Sequence, residues 1–110
     1  MEGQRARDIL ERVAAKWPMA VMRVLKEGKG PLRFSRVLER VEGISQKVLT
    51  QTLRSLEQDG VVTRTLYPQV PPRVEYELTP LGGDLLAQLL SLCRWIAARA
   101  ADLWSARDAN

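Results

Sequence analysis

Six polar side chains within ten residues have the chemistry needed to bind a nucleic acid. All six are hydrogen-bond donors or cations, and none is acidic: Ser45, Gln46, Lys47, Thr50, Gln51 and Arg54. Glutamine can pair with adenine through two hydrogen bonds, arginine and lysine can bind guanine, and serine or threonine can contact phosphates. The acids Glu57 and Asp59 come only at the far end of the segment. The alternative is an ordinary solvated face, which usually includes acids.

A helix over 45–59 would bring these side chains to one side. Four apolar residues recur at helical spacing and would face a core: Val48, Leu49, Leu53 and Leu56. Ser45 is suited to cap the start of this helix, and Gly60 to end it in a left-handed conformation. A shorter helix over 34–41 precedes it across a glycine turn. This pattern predicts a helix-turn-helix unit over about 34–59.

Two β-rich segments joined by a proline loop follow the second helix. Residues 61–67 are rich in β-branched side chains, and residues 73–78 alternate apolar with charged ones. The three prolines between them forbid regular structure in the loop. The pattern predicts a wing over about 61–78, flanked by Arg64 and Arg73, with a basic tip that could reach DNA.

Two further arginines stand at the start of the first helix of the unit. Arg33 and Arg36 are candidates for phosphate contacts, because backbone contacts of this kind position a protein on the duplex.

Helices at both ends of the chain carry more apolar side chains than one small domain can cover. The predicted terminal helices span about 5–15 and about 80–105, and Thr79 and Pro80 suit the start of the second. The second helix is apolar around much of its circumference, so a second chain is the natural cover for its other side. The candidate dimerisation contacts are Ile9, Leu10, Val13, Leu85, Leu89, Leu92, Ile96 and Leu103.

Length and composition exclude several classes of function. The 110 residues favour one domain, 1–110, which we predict to be mainly α with a small β-hairpin (α+β). With no histidine and one cysteine, the chain cannot form a Ser-His-Asp triad, a Cys-His dyad or a multi-cysteine zinc site. No glycine-rich phosphate loop or paired constellation of carboxylates is visible. We therefore expect no catalytic residues, no metal and no cofactor.

The positive charge is concentrated in the middle of the chain. The net charge is +4 overall, +5 within 23–73 and −2 within 74–110. A basic middle segment suggests an anionic partner such as nucleic acid. No apolar run approaches the roughly 18 residues that span a bilayer, and no signal peptide is visible, so we expect a cytoplasmic protein without a membrane partner.

Several motifs occur in order along the chain. They are Lys16-Trp17, Arg33-Phe34-Ser35, Gly43 to Gly60, Arg64, Tyr67, Pro71 to Thr79, Gly82 and Trp95. Together they resemble the HxlR-type winged helix-turn-helix transcriptional regulators, over about residues 16–96. The resemblance implies a homodimeric bacterial DNA-binding protein, related to MarR-type regulators, that dimerises through its terminal helices. It also implies an operator that controls a nearby gene, with repression the expected outcome.

The chain departs from this family in its cysteines. Many members carry a cysteine just before the Lys-Trp segment, and some sense oxidants with it, but residues 9–15 contain none. We expect the lone Cys93 to be a buried structural thiol. Trp17, Trp95 and Trp104 could line a pocket for a small-molecule effector near the dimer interface, although aromatic residues at helical spacing are more often core.

The sequence therefore predicts a homodimer that binds a roughly palindromic operator in double-stranded DNA, at the nucleoid. The alternative is a winged helix that binds another protein without reading DNA. That alternative predicts unchanged activity when Gln46, Lys47 and Gln51 are replaced by alanine.

Overall fold

A computed structural model describes residues 2–108, so the ends of the predicted 1–110 domain lie outside the described residues. Six helices and three strands occur in the described range. In chain order they are α1 Glu2–Val13, α2 Lys16–Gly28, β1 Leu32–Arg33, α3 Phe34–Arg40, α4 Gln46–Gln58, β2 Val62–Tyr67, β3 Arg73–Leu78, α5 Pro80–Ala98 and α6 Ala100–Asp108. This is a helical fold with a small antiparallel sheet, as the sequence predicts.

The core lies where α2, α3, α4 and the first half of α5 meet. Its largest fully buried side chains include Met22, Leu49, Leu53, Leu56 and Leu86. Each fully buried leucine or methionine contributes about 1.5–3 kcal/mol relative to an exposed one. This packing holds α4 firmly by its apolar side and leaves its opposite side to solvent.

The sheet has three antiparallel strands in the order β1-β3-β2. The hairpin of β2 and β3 pairs Val62 with Leu78 at its base and Tyr67 with Arg73 at its tip. Strand β1 pairs Leu32 with Tyr76 and was not predicted, because two residues are too few to show a periodicity.

Side-chain caps begin both α4 and α5. The Val48 N–H donates to Ser45 Oγ at 3.1 Å, and the Gly82 N–H donates to Thr79 Oγ1 at 2.9 Å. These bonds satisfy amides that have no partner within the first helical turn. Pro80 occupies the start of α5, where its missing N–H costs nothing. Both predicted caps are confirmed.

The turn after α4 closes that helix tightly. Gly60 has a φ of +76°, which favours glycine. Its N–H donates to the Glu57 carbonyl at 3.0 Å, and the Val61 N–H donates to the Leu56 carbonyl at 3.0 Å. These two bonds form a Schellman motif, which confirms the predicted left-handed cap.

The prediction of one long helix over 80–105 is wrong in one respect. The chain leaves helical geometry at Arg99, whose φ and ψ are −117° and 14°, and α5 and α6 are separate helices. The Arg99 N–H donates to the Ile96 carbonyl at 3.0 Å, a bond three residues back that tightens the final turn of α5. Alanines flank Arg99 on both sides, and no glycine or proline marks the break in the sequence.

Candidate nucleic-acid interface

Helix α4 presents a polar face that its own fold leaves open. Leu49, Leu53 and Leu56 are fully buried on the opposite side. Thr52 is also buried, at 8% exposure, and sequence reasoning did not place it in the core. All six predicted contacts of this segment are exposed: Ser45, Gln46, Lys47, Thr50, Gln51 and Arg54.

Four of these residues lie around one shallow depression on α4, namely Gln46, Lys47, Thr50 and Gln51. The Thr50 hydroxyl donates to the Gln46 carbonyl at 2.9 Å, which fixes its rotamer and leaves its lone pairs free to accept. The Ser45 hydroxyl accepts the cap bond from Val48, so its O–H can still donate. This face offers amide and cationic donors to an anionic partner.

Arg33 and Arg36 stand together at the start of α3. Both are exposed, and they share a groove with Ser35. Arg36 lies 3.7 Å from Glu39 one turn later, a loose ion pair between exposed side chains that leaves the guanidinium accessible. On its other side, Arg33 shares a second groove with Arg73 and the wing loop. Arg33 therefore links the start of α3 to the wing.

The two wing arginines point to opposite faces of the hairpin. The register pairs Arg64 with Tyr76, and Arg73 with Tyr67. Side chains of paired residues lie on the same face, and successive side chains along a strand alternate between the two faces. Arg64 and Tyr76 therefore share one face, and Arg73 and Tyr67 share the other. Arg64 and Arg73 therefore cannot contact one DNA surface in the same way.

Arg73 is already engaged within the wing. Its guanidinium carbon lies 4.2 Å from the centre of the Tyr67 ring, and its Nε lies 3.2 Å from a Glu75 carboxylate oxygen. The neighbouring carboxylate offsets part of the charge available to a phosphate. The tip itself, residues 68–72, contains no basic residue, and Val70 is fully exposed there. The only arginine next to this loop is Arg73, the first residue of β3, whereas Arg64 lies three residues further from the tip on β2.

A sequence model of the family described as HxlR-like helix-turn-helix matches residues 12–102. This span includes α2 to α5, and with them the α4 face and the wing. The chain belongs to the HxlR family. The names of its relatives and its helix-turn-helix geometry agree that it is a DNA-binding transcriptional regulator.

Relatives of known sequence and structure are similar to this chain over most of its length. The uncharacterized HTH-type transcriptional regulator YtfH of Escherichia coli K12 is 39% identical over 103 residues, which cover 94% of this chain and 80% of YtfH. A MarR-family regulator structure from Enterococcus faecalis V583 is 37% identical, with a TM-score of 0.75 and coverage of 93% and 92%. The diamide-treated YodB structure from B. subtilis is 32% identical, with a TM-score of 0.75 and coverage of 84% and 89%.

The terminal helices of this HxlR-family chain divide the predicted dimerisation residues into two groups. Val13 and Leu89 are buried and Leu85 is half-buried within the chain itself, so they already serve its own core. The exposed group remains available to a second surface: Ile9, Leu10, Leu92, Ile96 and Leu103. Trp95 and Trp104 widen this apolar surface, and arginines stack on both rings.

Cys93 is exposed, and the prediction of a buried structural thiol is wrong for the single chain. It lies in the second half of α5, which extends past the core, and every residue from 91 to 108 is exposed. The tryptophans do not share a burial pattern either. Trp17 packs against the core, whereas Trp95 and Trp104 are largely exposed. The chain alone does not enclose them in one effector pocket.

Sequence reasoning missed one long-range contact beside α4. Arg12 in α1 forms two hydrogen bonds with the Asp59 carboxylate, at 2.9 and 3.1 Å. The partners are 47 residues apart, and no local pattern signals such a pairing. None of the helices within residues 2–108 has the length and apolar character required to cross a membrane.

Proposed function

We propose that this regulator acts as a homodimer on a roughly palindromic operator, with the outward face of α4 reading bases in the major groove. The observation that carries the proposal is the exposed set of amides and cations on a helix whose other side is fully buried. A helix held in this way can enter the groove without losing core packing. Lys47 and Arg54 would add a salt-dependent attraction to the phosphates.

A homodimer is supported by the exposed apolar side chains of α1, α5 and α6. Soluble monomers rarely expose large contiguous apolar patches, and such patches often mark contact sites. Two α4 helices related by a two-fold axis would enter successive major grooves about 34 Å apart, so the operator would contain two related half-sites. Repression is the simplest outcome, because a dimer seated on an operator excludes other proteins from that DNA without further contacts.

The flanking arginines would position the domain on the backbone. Arg33 and Arg36 are exposed at the start of α3, and Arg64 is exposed on the wing. Arg73 would contribute least, because Glu75 and Tyr67 already hold it. Such contacts raise affinity with little effect on base preference. A regulator bound to an operator would act in the cytoplasm, at the nucleoid.

A groove between α2 and α5 supports a small-molecule effector as a further partner. Leu86 and Leu90 form its apolar part, and Lys26 and Arg94 supply cations at its edges. A small apolar carboxylate would suit this combination, since few polar groups on an apolar lining are typical of ligand sites. Titration of such acids against a preformed DNA complex tests this role, and release of the DNA is the expected result.

The function is tested by a gel shift with DNA from upstream of the protein's own gene, at increasing salt. We expect a shift that weakens as salt rises, because phosphate binding releases counterions. The variant Q46A/K47A/Q51A should lose this shift, whereas Gln58→Ala, an exposed amide at the far end of the same helix, should keep it. No salt-sensitive shift on this DNA or on any selected sequence contradicts DNA readout and favours a protein-interaction module.

A further inference from the structure

Helices α1 and α5 both attach to the three-residue turn that ends the recognition helix α4. This turn, Asp59 to Val61, is called the junction turn below. Helix α1 reaches it through Arg12, and α5 reaches it through Thr79 and Gly82. The helices proposed to join two chains therefore contact the far end of the helix proposed to read the operator.

The attachment of α1 is a forked ion pair. Arg12 Nη2 donates to Asp59 Oδ1 at 2.9 Å, and Arg12 Nε donates to Asp59 Oδ2 at 3.1 Å. Two parallel bonds between planar groups fix direction as well as distance, which a single bond does not. Hydrogen bonding to Asp59, and secondarily its charge, raises the pKa of Arg12.

Little else in α1 is tied to the domain. Val13 is buried, whereas residues 3–12 of this helix are all exposed. The Asp59 side chain is only 18% exposed, against 46% for Arg12, so the carboxylate is a well-placed anchor at the domain surface. The orientation of α1 depends on its last turn, where Arg12 and Val13 make these contacts.

The attachment of α5 is a set of close backbone contacts. Thr79 Oγ1 lies 2.8 Å from the Gly60 carbonyl oxygen, and the Thr79 N–H donates to the Val61 carbonyl at 3.0 Å. Gly82 packs so closely on the junction turn that a Cβ there would overlap the Val61 carbonyl oxygen. The start of α5 and the end of α4 therefore move together.

The junction turn itself is held by the Schellman bonds of Gly60 and Val61 and by the Asp59 N–H, which donates to the Ser55 carbonyl at 3.1 Å. We propose that Arg12 and Asp59 are positioning residues that set the angle between α1 and α4, and thereby fix the half-site spacing that the dimer accepts. This inference rests on the proposed function. It adds a role for two residues that lie away from the outward face of α4.

The test measures affinity for a series of operators whose half-sites are moved apart or together one base pair at a time. We expect the wild-type dimer to bind the operator of preferred spacing about tenfold more tightly than the others. In Asp59→Asn this ratio should fall to about threefold or less, a change typical of the loss of one coupled side-chain pair. Glu57→Gln is the matched control, because it removes the same charge from the same end of the helix without touching Arg12. It should keep the wild-type preference.

Two further variants separate positioning from a general loss of structure. Arg12→Gln should relax the spacing preference as Asp59→Asn does, and the double variant R12Q/D59N should relax it no further. Affinity for an isolated half-site should stay within about twofold for all of them, since distant surface changes have small effects. The positioning role is contradicted if the double variant shows additive effects, or if both single variants keep the spacing preference. Either result leaves the proposed function intact. A wild-type chain that binds no two-site operator overturns the proposed function as well.

Discussion

Helices α4 and α5 begin alike and end differently. Each starts with a hydroxyl side chain that accepts a backbone N–H, and each buries leucines in the shared core. The exposed face of α4 is polar, with the cations Lys47 and Arg54 before the acidic Glu57 in its last turn. The second half of α5 exposes Leu92, Trp95 and Ile96, with Leu92 at 48% and Ile96 at 43% exposure.

The exposed faces of the two helices favour different partners, because one face is polar and the other is apolar. A polar face is fully hydrated in water and can exchange that water for a charged partner. An apolar face in water is unfavourable, at about 25 cal/mol for each Å² left uncovered. One end of the molecule is thus suited to a polyanion, and the other to an apolar surface such as a second copy of the chain.

A charge on the exposed apolar face of α5 should disrupt the dimer more than any other change below. Ile96→Asp should produce monomers in sedimentation and lower operator affinity by about 10²–10⁴-fold, because linked half-site binding is lost. Ser91→Asp, an exposed polar position of α5, is the matched control and should remain dimeric. An Ile96→Asp chain that still sediments as a dimer contradicts the role given to this face.

Truncation of a core leucine should lower the free energy of unfolding more than truncation of an exposed leucine. Leu49→Ala should lower the free energy of unfolding by about 2–5 kcal/mol, since it removes a fully buried side chain from α4. Leu92→Ala, measured in the monomeric Ile96→Asp background, should cost less than about 1 kcal/mol. Urea denaturation of both variants checks the contrast. Equal costs would mean that α5 is covered within the single chain.

The smallest effect concerns the cap that begins α4. Ser45→Ala should lower the free energy of unfolding by about 1 kcal/mol, through loss of the acceptor for the Val48 N–H. Ser45→Asp keeps an acceptor and should restore stability, yet its carboxylate should weaken DNA binding by charge repulsion. Thermal melting and gel shifts on the two variants separate these effects. Unchanged DNA affinity in Ser45→Asp would place the start of α4 away from phosphates.

The helical framework could be predicted from local signals in the sequence. Apolar spacing indicated α3 and α4, and Ser45, Thr79 and Gly60 marked helix ends through bonds that involve near neighbours. The exposed face of α4 followed from the same periodicity. These features depend on interactions within a few residues, so a single sequence contains enough information to find them.

Features that depend on distant partners could not be predicted. Arg12 and Asp59 meet across 47 residues, and the short strand β1 exists only because β3 lies beside it. The opposite faces of Arg64 and Arg73 follow from a strand register that composition does not specify. The exposure of Cys93 depends on how far α5 extends beyond the core, which helical periodicity alone does not reveal.

Base reading by the outward face of α4 is tested by parallel selection of DNA from a random pool with the wild-type chain, Gln51→Ala and Arg64→Ala. We expect the wild type to enrich two related half-sites about 10 base pairs apart. Gln51→Ala should lose preference at one position in each half-site and keep the rest of the motif, while Arg64→Ala should keep all base preferences. An identical motif for wild type and Gln51→Ala, or no enriched motif at all, would contradict base reading by the outward face of α4.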